Sequence, residues 1–163
     1  MPEVSAENPI PSSTPTPVPV VGINHIALEV GDLDEALKFY GRLFTFEQRG
    51  RTESQAEIDL GDQFIALVTS RPQPADVKRH VGLVVADKEA VRAVLLANGV
   101  EILPLPDRFL DFLDPWGNRI EIIGYENIQF TKADHVLRSM GLGHLRKTDA
   151  AIDELTEKGM RPD

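Results

Sequence analysis

The sequence predicts an α+β domain built from two tandem strand–helix–three-strand modules, followed by a short helical extension. Three observations predict it. Asn24-His25-Ile26-Ala27-Leu28-Glu29-Val30 aligns residue for residue with Arg79-His80-Val81-Gly82-Leu83-Val84-Val85. Each of these β-branched runs leads through an aspartate into a segment with apolar residues at helical spacing. Each module then closes on two strands around a turn, Gly61-Asp62 in the first and Asp114-Pro115-Trp116-Gly117-Asn118 in the second. The unit recurs at about 50 to 55 residues, which marks an internal duplication.

Taken in order, residues 1–20 carry half of the chain's 12 prolines among Ser and Thr, a composition expected to remain a disordered tail that samples polyproline II. Val21 to Val30 is the first strand. Asp32 to Phe44 is an amphipathic helix: Leu33, Ala36, Leu37, Tyr40 and Leu43 form its apolar face, Asp32 caps it, and Glu35 stands at the third helical position. Phe44 to Gly50, Ser54 to Leu60 and Gln63 to Thr69 follow as short strands. After the stiff linker Arg71-Pro72-Gln73-Pro74 the pattern restarts. Arg79 to Val85 is a strand, Asp87 caps a helix with Val91, Val94 and Leu95 on its apolar face, and Asn98-Gly99 stops it. Val100 to Leu103, Phe109 to Leu113 and Arg119 to Ile123 are the remaining strands. Thr131 to Met140 and Thr148 to Lys158 read as capped helices ended by Gly141 and Gly159, with Val136, Leu137, Ile152 and Leu155 available to pack on the domain or on a second subunit. The organisation is thus a tail (1–20), a duplicated domain (21–125, modules 21–70 and 79–125) and a helical extension (126–163).

Composition narrows the function classes. A chain of 163 residues can bury one real core. Net charge of −9, with no basic cluster, argues against nucleic acid as a partner. No apolar run approaches the ~20 residues that span a bilayer, so no membrane association is expected. Glu3 and Glu7 stand where a leader would carry basic residues, and the cytoplasm is the expected compartment. With no cysteine, any metal must be held by His and carboxylates.

The chemistry concentrates in Phe109 to Gly124. Glu121 interrupts an otherwise apolar strand. Pairing Leu113 with Arg119 across the turn sets Asp111 directly opposite Glu121 on the same face. Two carboxylates about 5 Å apart repel unless a cation sits between them or one holds a proton. The two histidines at the matched position, His25 and His80, are candidate partners for such a cation. Overlaying Gly61-Asp62-Gln63-Phe64-Ile65 on Gly117-Asn118-Arg119-Ile120-Glu121 places Ile65 where the second module has Glu121, so the repeat is broken chemically. Alternation places Ile58, Ile65 and Leu67 on an apolar cleft face, which suits a substrate with a hydrophobic body. Glu29 shares the face of His25 but lies about 13 Å along the strand, too far to hold the same ion, and is expected to be solvated rather than to line a cleft mouth. Trp116 is expected to plug the turn by packing. His135 and His144 fall outside the repeat.

A duplicated strand-helix-three-strand unit with a His near the start of each module, closed by D-P-x-G-N-x-I-E, resembles the vicinal oxygen chelate superfamily. That group includes glyoxalase I, bleomycin-resistance proteins, fosfomycin-resistance enzymes, methylmalonyl-CoA epimerase and extradiol dioxygenases. The resemblance covers about Val21 to Tyr125. It implies a glyoxalase-like fold in which the two modules form a cleft-shaped mixed sheet, and it implies His25, His80 and Glu121 as ligands of one divalent metal: Fe, Mn, Ni, Co or Zn. The implied chemistry is Lewis-acid polarisation of adjacent substrate oxygens, as a lyase, an isomerase or a dioxygenase. Asp111 is the candidate base or acid beside the metal-bound substrate. Arg79 and Arg119, close to the ligands in sequence, are assigned to the opposite strand faces as structural residues. Departures from the subfamilies are specific: Ile65 replaces a fourth, carboxylate or amide ligand, and Asp111 stands where dioxygenases and fosfomycin enzymes carry Tyr. The resemblance also implies a homodimer acting on a small molecule. The alternative from another class is a bleomycin-resistance-type protein that sequesters a small molecule or antibiotic without using the metal site.

Overall fold

The structure, a computed structural model, describes residues 22–70 and 72–162. The tail expected over residues 1–20 lies outside the described residues. The first module comprises β1 (His25–Val30), α1 (Leu33–Leu43), β2 (Gln48–Arg51), β3 (Gln55–Asp59) and β4 (Phe64–Thr69), with the sheet ordered β1-β4-β3-β2. β1 and β4 are parallel, joined through α1 and the two hairpin strands, and the other pairs are antiparallel. The second module repeats this with β5 (Val81–Val85), α2 (Lys88–Ala97), β6 (Asp111–Leu113) and β7 (Arg119–Gly124), ordered β5-β7-β6.

The strand expected at Val100 to Leu103 is reduced to a single bridge, Ile102 to Phe112. Pro104 and Pro106 follow it immediately, and without N–H groups they cannot extend a ladder.

Both helices start on the aspartate that the sequence marks. The Asp32 side chain accepts from the Glu35 amide at 2.8 Å, and Asp87 accepts from the Ala90 amide at 2.9 Å. Each cap satisfies a donor that the first helical turn would otherwise leave bare, worth ~1 kcal/mol. Leu33, Ala36, Phe39, Tyr40 and Leu43 bury one face of α1, and Val91 and Leu95 that of α2.

Where those faces go decides the architecture. Leu28 and Val30 of β1, Ile65 and Leu67 of β4, Ala56 and Ile58 of β3, and Leu110, Phe112, Ile120 and Ile122 of the second module form one hydrophobic cluster with both helices. Phe39 of α1 reaches Phe112 of the other module, ring centroids 6.3 Å apart. The two sheets therefore turn their apolar faces inward on a shared core. Each module contributes its own small mixed sheet to the expected glyoxalase-like α+β fold, and one expectation is corrected: Ile58, Ile65 and Leu67 point into the core rather than lining a cleft. An amphipathic helix must bury its stripe against an apolar face, and the alternate residues that serve α1 are those three. The opposite face of the first sheet, which carries His25, is formed by Ala27, Glu29, Phe64, Ala66, Val68, Gln55, Glu57 and Asp59.

The turn after β6 stitches the modules together. Asp114, 4% exposed, accepts from the Tyr40 hydroxyl (2.8 Å), the Asn118 side-chain amide (2.7 Å) and the backbone amides of Trp116 (2.9 Å) and Asn118 (2.8 Å). Burial, then the charge of Asp114 and its hydrogen bond, hold the Tyr40 hydroxyl well above its ordinary pKa. The Asn118 side chain also donates to the Glu29 carbonyl at 2.8 Å. Trp116 lies so close over Gly31 that a Cβ there would meet its Nε1 at 2.7 Å.

Beyond a 3-10 turn (Tyr125–Asn127), the extension folds as α3 (Asp134–Ser139) and α4 (Asp149–Glu157). α3 is shorter than expected: Thr131 does not cap it, and its hydroxyl instead lies 3.3 Å from the Tyr125 hydroxyl. Leu137, Ala151 and Leu155 are buried. The extension reaches back to the first module, where Met140 packs on Gly61 and Lys132 pairs with Asp62. Lys147 donates to the carbonyls of Tyr125 and Ile128 and lies 3.5 Å above the Tyr125 ring; burial lowers its pKa to about 8, opposed in part by Glu126. Among the described residues no helix is long and apolar enough to cross a membrane.

Candidate metal centre

The outer face of the second sheet brings two of the candidate ligands, His80 and Glu121, together. Leu113 pairs with Arg119, Phe112 with Ile120 and Asp111 with Glu121, the register that the sequence dictates. On the other side of β7, Gly82 lies beside Glu121 in the parallel pairing with β5. His80 precedes β5 and shares the face of Glu121 by strand alternation, and its Nε2 lies 3.1 Å from Glu121 Oε2.

His80 is oriented from behind. Its Nδ1 lies 2.8 Å from the Lys78 carbonyl, an acceptor, so Nδ1 carries the proton and Nε2 is the atom aimed at Glu121. An imidazole nitrogen and a carboxylate oxygen side by side are two donors of the kind that borderline divalent cations take.

His25 occupies the equivalent place on the first sheet, and its surroundings differ. Its ring stacks on Phe64 (4.7 Å between centroids, 11° between planes), and its Nδ1 is 2.8 Å from the Asn24 side-chain oxygen. The Arg49 guanidinium lies over the same Phe64 ring at 4.8 Å. Because the sheets share their inner faces, the outer faces carrying His25 and Glu121 look away from each other. The structure brings His80 and Glu121 together and leaves His25 apart, and among the described residues no three His, Asp or Glu side chains gather as a cation site.

The residue matching Glu121 in the first module is Ala66 rather than Ile65. Glu121 neighbours Gly82, two residues after His80; Ala66 neighbours Ala27, two residues after His25. The overlay from Gly61 and Gly117 slips because β4 begins at Phe64 and β7 at Arg119, one residue sooner after its glycine. Ile65 instead corresponds to Ile120, and both are buried. The first module still supplies no carboxylate at this place on the strand.

Asp111 lies across from Glu121 yet is 1% exposed. Its Oδ2 accepts from Arg119 Nε at 2.7 Å and lies 2.7 Å from Nη2, while Oδ1 is buried with no hydrogen-bond partner. The assignment of Arg119 to the opposite face is therefore wrong. Arg119 stands two residues before Glu121, so β alternation puts both on one face, and that parity was readable in the sequence. Arg79 is held by Asp76 at 2.7 Å and remains exposed. Beside the turn lies a groove of about 430 Å³ lined in part by Glu29, Ser70, Arg79, Leu113 and Trp116. His135 and His144 are exposed on the extension.

Comparison with known proteins bears on the family and the fold. The family model for the Glyoxalase/Bleomycin resistance protein/Dioxygenase superfamily matches residues 22–122. Among solved structures, the E126Q mutant of the genomically encoded fosfomycin resistance protein FosX from Listeria monocytogenes, complexed with Mn(II) and 1S,2S-dihydroxypropylphosphonic acid, superposes with a TM-score of 0.58 at 19% identity. The match covers 64% of this chain and 90% of that one. A candidate glyoxalase family protein from Bacillus anthracis gives 0.57 at 22% identity over 67% and 98%. An integron cassette protein from the mobile metagenome of V. cholerae gives 0.55 at 19% over 68% and 100%.

Proposed function

The chain belongs to the Glyoxalase/Bleomycin resistance protein/Dioxygenase superfamily, and from that membership we propose a metal-dependent enzyme acting on a small organic substrate that chelates the metal through adjacent oxygens. The observation that carries this reading is the His80–Glu121 contact of 3.1 Å, with the imidazole pinned to the Lys78 carbonyl on its far side. These are the donors a divalent Fe, Mn, Ni, Co or Zn ion takes, and the FosX neighbour is a complex with Mn(II). Bound there, the metal would supply Lewis-acid polarisation of the substrate oxygens.

His25 completes the set from a second copy of the chain. Within one molecule it is on the wrong side of the shared core; in a homodimer that sets the first sheet of one protomer against the second sheet of the other, it faces His80 and Glu121 of its neighbour. Three protein ligands leave coordination positions for the substrate. Asp111 serves as the base or acid, through the Oδ1 that carries no hydrogen bond. Ala66 in place of a carboxylate removes a fourth ligand, so proton transfer in lyase or isomerase chemistry falls to Asp111. Dioxygenase chemistry is the other branch.

Chain mixing tests the shared site. His25→Ala and Glu121→Ala variants each bind no Mn(II) or Co(II) alone. Mixed and re-paired, they regain about a quarter of the wild-type sites, because half of the dimers are hybrid and each hybrid has one intact site. A site within one chain regains nothing. The second reading, sequestration of a small molecule in the superfamily's bleomycin-resistance manner, draws on the absence of three clustered ligands among the described residues. Wild-type protein purified without chelators that neither carries metal nor takes up added Fe, Mn, Ni, Co or Zn decides for it.

A further inference from the structure

We propose that Arg119 is a positioning residue for His80, acting through the backbone of the segment before it; the inference deepens the metal-site reading and rests on it for its purpose, though not for its geometry. Arg119 uses its whole fork. Nε and Nη2 are committed to Asp111 Oδ2 at 2.7 Å each, and Nη1 donates to the Val77 carbonyl. The next carbonyl, that of Lys78, holds the His80 ring at Nδ1. The segment is fixed upstream as well, since the Asp76 amide donates to the Gly117 carbonyl at 2.8 Å. A line of contacts therefore runs from the buried Asp111 to Arg119, to Val77, and over one peptide to the imidazole.

The chemistry explains why an arginine stands here. Residues 77–80 belong to no helix or strand and are exposed, so their carbonyls lack the ladder that would fix them. Only a planar, permanently charged fork can grip a carboxylate with two nitrogens and a carbonyl with a third. Burying Asp111 to 1% exposure costs desolvation that one ion pair does not clearly repay. Its return is geometric: a rigid post from which a loop residue is aimed. The same grip leaves Asp111 Oδ1 unbonded and holds the carboxylate still.

The test uses the full-length protein with a ¹⁵N-labelled histidine ring, and its first reading needs no metal. Arg119→Gln is expected to fold, with unchanged circular dichroism, while the His80 Nδ1–H exchanges with solvent about tenfold or more faster than in the wild type. Titrated with Co(II) and followed by visible absorption, the variant should bind about 10- to 100-fold more weakly, the loss typical of a removed outer support. Arg119→Lys keeps the charge but loses the fork, so it should retain stability without restoring ring protection. Arg92→Gln, which breaks only the exposed pair with Glu89 on α2, away from these contacts, should leave both readings alone. Wild-type exchange in Arg119→Gln, or in Arg119→Lys where the former does not fold, overturns the inference. Faster ring exchange in a protein whose wild type binds no Co(II) upholds the positioning role and removes the metal reading instead.

Discussion

The two modules are copies in topology and opposites in chemistry, and the contrast is sharpest at the same two places in each. On the outer faces, the second module sets Glu121 beside His80, whereas the first sets Ala66 near His25 and gives that histidine an aromatic bed, Phe64, with Arg49 above it. At the hairpin tips, each module has a glycine with φ near +85°, Gly61 and Gly117, a region open to glycine without strain. The tip holding Gly117 is sunk into the first module by Asp114 and Trp116. The tip holding Gly61 is covered from outside by Met140 and Lys132 of the extension. Duplication supplied one scaffold twice, and of the two copies only the second sets a carboxylate against its histidine.

The largest effect should come from breaking the tips' inequality. Asp114→Ala strips the acceptor from the Tyr40 hydroxyl, two backbone amides and the Asn118 side chain, and should lose about 3–5 kcal/mol in urea unfolding. Asp62→Ala, at the corresponding exposed tip, should lose under about 1 kcal/mol. Comparable losses at both would show that the extension grips as firmly as the core does.

The face contrast is tested next. Ala66→Glu forces a carboxylate into a site 3% exposed and should cost about 1–3 kcal/mol, whereas Glu121→Ala should stay within about 1 kcal/mol. Gly31→Ala belongs to the same range, about 1–3 kcal/mol, because its methyl group collides with the Trp116 ring; Trp116→Leu in the same chain should recover part of it.

The smallest effect is a pH effect. Tyr40 has its folded pKa raised above the unfolded value of 10.0, so its protonated form is favoured by folding. Its contribution is complete below pH 10 and declines as pH rises toward the folded value. Wild-type protein should therefore lose stability above about pH 10 more steeply than Tyr40→Phe, read from denaturant midpoints across that range.

Much of this was legible beforehand because it depends on neighbours in sequence. The caps at Asp32 and Asp87 need only a short polar side chain three residues before an amide, and the register of Asp111 against Glu121 needs only the length of one turn. The position of Glu121 in an apolar strand likewise showed where the charge had to be compensated. What escaped depends on distant packing. Which alternate set of β3 and β4 turns inward is fixed by α1, so Ile58, Ile65 and Leu67 looked equally able to face a cleft. The replacement of Glu121 by Ala66 was hidden by a one-residue difference in how the two tips re-enter their strands. Arg119 was missed for a different reason: strand parity would have placed it beside Glu121.

The outward aim of the two sheets has one more consequence. Complementary surfaces on opposite sides of a molecule can add copies head to tail without end, and only a rotation that returns to its start stops the growth. Under the proposed pairing of first sheet on second sheet, the angle at which Phe39 and Phe112 hold the two modules would also decide between a finite pair and a fibre. A cavity opened at either ring would show itself as a change in particle size as well as in melting temperature.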